Sequence, residues 1–184
     1  KKIVSSLLPI DTNHVTERFS DKTVNEIVKA ASEMSRAKTG ALIVIEQNVR
    51  LDEYERTGIV IDSVLTSQIL INIFEHNTPL HDGAVIVRGN RITAATCYLP
   101  LSDNMLLSKE LGTRHRAGVG ISEVTDSLTV IVSEETGAIS VAYKGELMRK
   151  LTAEELKKLL VIAQNKTAAQ KKFRLWKGWN RNEI

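Results

Sequence analysis

Five consecutive apolar residues, Ala41-Leu42-Ile43-Val44-Ile45, stand between a glycine and a glutamate. A run this short and this rich in branched side chains fits a strand covered on both faces, since a strand with one wet face would alternate with polar residues. Such a strand needs a layer on each side, and the chain supplies helices for them. Ser20 followed by Asp21 reads as an N-cap, and Val24, Ile27, Val28 and Ala31 then recur at helical spacing until Gly40. Thr66 or Ser67 opens a second helix through Ile69, Leu70, Ile73 and Phe74, ending near His76 and Asn77 before Pro79. Thr152 with Glu155 is a capping box, and Leu156, Leu159, Leu160 and Ala163 form the stripe of a third helix.

Further strands lie between these helices. Ile59 to Leu65 reads as a short one. Ala84–Arg88 and Arg91–Leu99 are joined by Gly89-Asn90, a pair that tolerates the positive φ of tight hairpin turns. Leu128–Val132 and Ala138–Tyr143 read as a second hairpin around residues 133–137. Residues 46–58, with Asp52, Glu53 and Glu55, read as a loop or a short helical turn, and 101–108 as a loop. From Lys109 to about Glu123 a helix is weakened by Gly112, Gly118 and Gly120. Either it starts after Gly112 or close packing demands small residues there. The expected fold is α/β (α+β): a single globular domain over residues 21–165 with a central mixed parallel/antiparallel β-sheet flanked by helices.

The 184 residues suffice for one domain with a full core. No apolar run approaches the ~20 residues of a membrane helix. A lone cysteine, Cys97, excludes an intramolecular disulfide framework and a cysteine-rich zinc site, and reads as a small core hydrophobe. A first residue of Lys1 rather than Met suggests a processed or truncated fragment, with 1–20 as a linker or helical stub. The net charge of +3 is uneven: from Lys157 onward there are eight basic residues and one acid, against 17 basic and 21 acidic before it. The basic tail, 166–184, carries Phe173, Trp176 and Trp179. It reads as a solvated or docked end rather than as a grip on nucleic acid or an anionic membrane.

Two segments do not read as scaffolding. In His81-Asp82-Gly83-Ala84, a histidine and a carboxylate stand at the entrance of an apolar strand, followed by a glycine that permits close approach to the backbone. In Gly112-Thr113-Arg114-His115-Arg116, a hydroxyl and three potential cations stand near a helix start, where free N–H groups and guanidinium forks suit phosphate. Taken alone, an Asp-Gly pair is most often a turn and an Arg-His-Arg run a solvated face. Ser133-Glu134-Glu135 is by itself a charged hairpin loop, and Tyr98 fits a base-stacking or a core role equally. No GxxxxGK[ST] or strand-linked GxGxxG is present, so the P-loop and Rossmann readings lack their phosphate turns. His14, His76 and His115 form no pattern supporting a metal-dependent phosphohydrolase. Together, however, these segments hold the parts of a metal-dependent nucleotidyl transfer.

In this order, with Tyr98-Leu99-Pro100-Leu101-Ser102 between them and Val132-Ser133-Glu134-Glu135-Thr136-Gly137 after them, the two segments resemble the DGA and RHR signatures of diadenylate cyclase (DAC) domains of the membrane-anchored type. The resemblance covers about Asp21 to Leu160 and implies the DAC/DisA_N-like fold; Gly118 departs from it, standing where alanine is expected. It implies condensation of two ATP into cyclic di-AMP (c-di-AMP) with release of two pyrophosphates, in a face-to-face homodimer with a divalent metal, Mn2+ or Mg2+. Carried over by position, Asp82 would bind the metal or orient and deprotonate the attacking 3′-hydroxyl, with His81 and Glu135 as further metal ligands. Gly112, Thr113, Arg114, His115 and Ser133 would cradle the triphosphate, Arg114 and His115 among the catalytic groups, while Arg116 would be structural. Gly83 would admit the nucleotide to the backbone, and Tyr98 and Leu99 would form the adenine platform. The resemblance also implies N-terminal membrane helices holding the domain at the cytoplasmic face of the cell membrane. A membrane-attached regulator of the YbbR-domain type and a phosphoglucosamine mutase would be its partners. The alternative is a non-catalytic adenine-nucleotide sensor on the same fold, against which Asp82 argues, because a pure binder does not need it.

Overall fold

The computed structural model describes residues 18–165 apart from positions 106 and 109. The expected basic tail, and all but the last three residues of the expected N-terminal stub, lie outside the described residues. The chain runs α1 (Asp21–Ala37), β1 (Ala41–Ile45), α2 (Asp52–Glu55), β2 (Ile59–Val64), α3 (Ser67–Phe74), β3 (Ala84–Arg88), β4 (Arg91–Cys97), α4 (Thr113–Val124), β5 (Leu128–Val132), β6 (Ile139–Tyr143), β7 (Glu146–Leu151) and α5 (Ala153–Gln164). The seven strands form one sheet in the order β2-β4-β3-β1-β5-β6-β7. The β1–β3 pair is parallel and the other pairs are antiparallel, so the sheet is mixed as expected.

All five β1 side chains are buried, because α1, α3 and α5 cover one face of the sheet and α4 the other. Ile43, Val85, Val130 and Val141 pack with Ile27, Leu70 and Leu160 on the first face. Leu42, Ile86, Ile131 and Ala142 pack with Val119 and Ile121 of α4 on the second. Local signals behave as the residues dictate: Ser20 caps α1, Thr66 caps α3, and Thr152 and Glu155 close their capping box.

The structure settles one open alternative and differs from the sequence reading in three places. α4 starts at Thr113, after Gly112, and close packing also applies: a Cβ on Gly118 would stand 2.9 Å from Ile131 Cδ1, and one on Gly120 2.1 Å from the Pro100 carbonyl oxygen. α3 stops at Phe74, short of His76. β4 ends at Cys97 rather than Leu99, leaving Tyr98 and Leu99 beyond the strand. Finally, β7 was not expected; its burial is low except at Leu151, so its sequence shows no clear apolar alternation.

Where β1 and β3 leave the sheet at their C-terminal ends, the carboxylate of Glu46, only 2% exposed, accepts from Arg88 Nε at 2.7 Å. Arg88 Nη2 also reaches Glu55 at 2.6 Å and Asp52 at 3.1 Å, so this network ties α2 to the sheet. The opposite end gathers the first residues of β3 and β1 and the last of β4 and β5, as the pairings Ala84–Cys97, Ile43–Val85 and Ala41–Val132 require. Residues 81–83, 98–99 and 133–135 adjoin these strand ends, while residues 112–116 open α4.

Candidate active site

α4 enters the sheet face with Gly112 as its N-cap, which offers no capping side chain to the first-turn N–H groups. Beside that helix end lies a cavity of about 320 Å³ lined by Thr113, Arg114, His115, Ser133, Glu135 and Arg149, among others, with Gly112 at its edge. The triphosphate group expected from the sequence, Gly112, Thr113, Arg114, His115 and Ser133, is therefore brought together around one hollow, with Glu135, expected as a metal ligand, at the same cavity.

Arg114 is the best positioned of these. Its Nη1 donates to Glu134 Oε2 at 2.6 Å, while its Nε is buried without a hydrogen-bond partner. The guanidinium lies against Gly40, where a Cβ would come within 2.7 Å of Nη1. Gly40, read from sequence as a helix stop, thus also makes room for Arg114. Ser133 starts a tight turn in which its Oγ accepts from the Thr136 N–H, and the turn is pinned to α1 by Ser35 Oγ donating to the Gly137 carbonyl at 2.6 Å. Glu135 projects from this turn as an exposed carboxylate.

His115 is 8% exposed, and its Nε2 faces Ser140 Oγ at 3.4 Å. Burial, and then the positive charge of Arg149, hold its pKa below the ordinary histidine value. It is thus a neutral wall of the cavity beside two arginines. The carbonyl of Arg116 accepts from the Ser102 N–H at 3.0 Å, and Ser102 Oγ donates to Glu123 at 2.6 Å. These contacts, with the Gly120–Pro100 approach, fasten the segment after Tyr98 and Leu99 onto the same helix that carries Arg114.

His81, Asp82, Gly83, Tyr98 and Leu99 do not line the cavity. They sit at the entrance of β3 and the exit of β4, two and three strands from β5, or about 10 and 14 Å at ordinary strand spacing. Gly83 adopts φ +94°, and a Cβ there would stand 2.9 Å from Thr96 Cα. The neighbouring strand fills the space a side chain would take, which with the positive φ requires glycine here. Thr96 itself takes φ +57° in a β-bulge opposite, a costly conformation for a β-branched residue. Asp82 is exposed, with Oδ1 accepting from the Gly83 N–H at 3.0 Å. Tyr98 is 74% exposed, which leaves its ring free as a stacking surface, while Leu99 packs on the second core face.

His81 Nδ1 lies 2.6 Å from the Thr78 carbonyl oxygen. A carbonyl only accepts, so Nδ1 carries the proton and Nε2 keeps its lone pair, the tautomer a metal ligand needs. Among the described residues, no three His, Cys, Asp or Glu side chains converge on a common point. His81, Asp82 and Glu135 therefore do not form one metal pocket within a single chain. Cys97, buried with its thiol pKa pushed up to about 12 chiefly by desolvation, is the inert core residue the sequence suggested.

Two contributors escaped the sequence reading, Gly40 and Arg149. No signal pointed to Arg149, because the strand that carries it was not expected.

Residues 28–147 match the family model described as DAC, DisA bacterial checkpoint controller nucleotide-binding. The chain is 52% identical over 160 residues to the cyclic di-AMP synthase CdaA of Bacillus subtilis (strain 168), covering 87% of this chain and 59% of that protein. It is 51% identical over 164 residues to a diadenylate cyclase of Listeria monocytogenes serotype 1/2a (strain 10403S), covering 88% of this chain and 60% of that one. Among solved structures, a double mutant of DacA from Staphylococcus aureus superposes with a TM-score of 0.77 at 50% identity, over 78% of this chain and 96% of that chain. A hypothetical membrane spanning protein from Bacillus cereus gives a TM-score of 0.69 at 43% identity, over 71% and 64% of the two chains. The chain spans about three fifths of the length of the curated relatives described here.

Proposed function

Because the chain belongs to the DAC family, we propose that it is a diadenylate cyclase, condensing two ATP into c-di-AMP and two pyrophosphates. The observation that carries this reading is Arg114: a guanidinium at an uncapped helix N-terminus, beside a cavity, with a buried Nε that has no hydrogen-bond partner among the described residues. A polyanion satisfies all three features at once.

In each half-reaction a ribose 3′-oxygen attacks an α-phosphorus. The new P–O ester forms as the bond to the β-phosphate breaks, pyrophosphate leaves and the hydroxyl proton is released. Transfer of this kind asks the protein chiefly for positioning and charge neutralisation. Thr113, Arg114, Ser133 and the first-turn N–H groups of α4 hold the triphosphate, and neutral His115 adds a polar wall without adding charge. The exposed Tyr98 ring stacks on adenine, and the Leu99 backbone reads the base edge. Exposed Asp82 orients the attacking hydroxyl and accepts its proton.

His81, with its Nε2 unbonded among the described residues, and Asp82 would hold a divalent cation, Mn2+ or Mg2+, while Glu135 stands on the turn beside the cavity. Such an ion supplies charge neutralisation and a lowered pKa for the bound hydroxyl. The separation of Asp82 from the cavity within one chain supports a face-to-face homodimer, in which a second copy supplies the second nucleotide.

Among the described residues no helix is long and apolar enough to cross a membrane. The family type and the likeness to the hypothetical membrane spanning protein of Bacillus cereus support attachment of the longer protein at the cytoplasmic face of the membrane. There a membrane-attached regulator and a phosphoglucosamine mutase would meet it.

The test is incubation of the purified chain with ATP and Mg2+ or Mn2+, with GTP in parallel, and identification of products by mass. c-di-AMP from ATP, with specific activity rising with protein concentration, is expected. ATP that binds and stays intact with either metal at high protein concentration would overturn the cyclase reading in favour of a sensor.

A further inference from the structure

β7 carries a one-residue bulge. Met148 pairs with Val141, but Leu151 pairs with Ile139, so three steps along β7 match two along β6. The extra residue is Lys150, held at φ +57°, a conformation a lysine adopts only when its surroundings impose it. Its effect is to break the alternation. Leu147, opposite Ala142, packs on the α4 face, and Leu151, opposite Ile139, packs on the α1–α5 face. Without the bulge, odd-numbered residues of β7 would share one face. With it, Leu151 closes the main core while Arg149, level with Ser140, lines the α4-side cavity.

Arg149 differs from the other cavity arginine. Arg114 is tied to Glu134 at 2.6 Å, whereas Arg149 has no ion-pair partner among the described residues. It lines the same hollow as the N-terminal turn of α4, whose His115 faces Ser140 of the neighbouring strand at 3.4 Å. Its charge is felt there, since it is one of the two causes holding His115 neutral.

Resting on the nucleotide reading of this site, we infer that Arg149 binds the terminal phosphates of the triphosphate and holds the pyrophosphate as it leaves. Arg114 and the helix N-terminus take one side of the phosphate chain, and Arg149 the far side. The bulge at Lys150 is the device that lets one short strand serve both the core and the site.

The test compares ATP with AMP, which keeps the base, ribose and α-phosphate and lacks the terminal phosphates. Arg149→Gln should weaken ATP binding by about tenfold to a hundredfold, the worth of one or two charged hydrogen bonds, while AMP binding is unchanged. Unchanged ATP affinity, or a parallel loss for both nucleotides, would overturn the inference. A second measurement does not depend on the variant folding: phenylglyoxal modification of Arg149 in the unaltered chain, mapped by mass, should be slowed by ATP and not by AMP. Equal modification with both overturns it. If the unaltered chain binds ATP yet forms no cyclic dinucleotide, the cyclase reading fails while the ATP-to-AMP comparison still decides the role of Arg149.

Discussion

The Arg114 guanidinium rests on the backbone of Gly40: a Cβ at residue 40 would stand 2.9 Å from Arg114 Cζ, 2.7 Å from its Nη1 and 3.0 Å from Glu134 Oε2. The obstructed atoms are the ends of two flexible side chains, and Gly40 has no positive φ, so alanine fits the backbone and displaces the arginine instead. Gly40→Ala should raise the KM for ATP by about tenfold, with a melting temperature within about 4 °C of the parent, read by steady-state kinetics and thermal melting.

Asp82 is exposed, and among the described residues its carboxylate accepts only from its neighbour's N–H. Asp82→Asn keeps size and shape and removes the charge. Turnover should fall by at least about a hundredfold with no loss of thermal stability. Retained activity, assayed by product mass, would remove Asp82 from the mechanism.

Most elements were legible because their physics is local. A capping box at Thr152 and Glu155, a helical stripe from Val24 to Ala31 and a wholly apolar run at Ala41–Ile45 need no knowledge of the rest of the chain. What was not legible depends on partners far away in sequence. Gly40 owes its smallness to Arg114, Gly83 to Thr96, and Gly120 to Pro100. Arg149 lines the cavity while Leu151, two residues on, packs in the main core only because Lys150 bulges between them, in an edge strand whose mixed exposure leaves no period to read. The cradle residues were recognised as a group, but the separation of Asp82 from them within one chain follows from strand order, which no motif encodes.

His115 carries a pH dependence whose sign is fixed by burial. Its folded pKa lies below the ordinary value of 6.5, so the unfolded chain takes up the proton first as pH falls. Stability should be full above about pH 7 and decline as pH drops through 6.5 toward the depressed value, with Arg149 and Ser140 as the facing groups. His115→Gln should flatten that part of the stability profile, measured by urea unfolding at several pH values.

Gly120 meets the Pro100 carbonyl where any Cβ would lie. Gly120→Ala therefore forces the Tyr98–Ser102 segment off α4. The expected cost is about 1–3 kcal/mol, seen in the denaturant midpoint, together with weaker ATP binding because the stacking surface moves.

Arg88 neutralises Glu46, whose carboxylate is 2% exposed. Arg88→Ala leaves that charge buried against Asp52 and Glu55 and should cost about 3 kcal/mol in urea unfolding. At constant folded fraction, product formation should be unchanged.

The sheet thus has a foundation at one end and a workshop at the other. Glu46, Arg88 and α2 anchor the C-terminal ends of β1 and β3, while Asp82 and the groups proposed to hold the triphosphate lie toward the opposite end of the sheet. Sequence change among the exposed reactive groups is therefore largely decoupled from the durability of the fold. A lineage carrying this domain is free to retune base preference or metal choice by altering those turns, without first acquiring compensating substitutions to keep the protein standing.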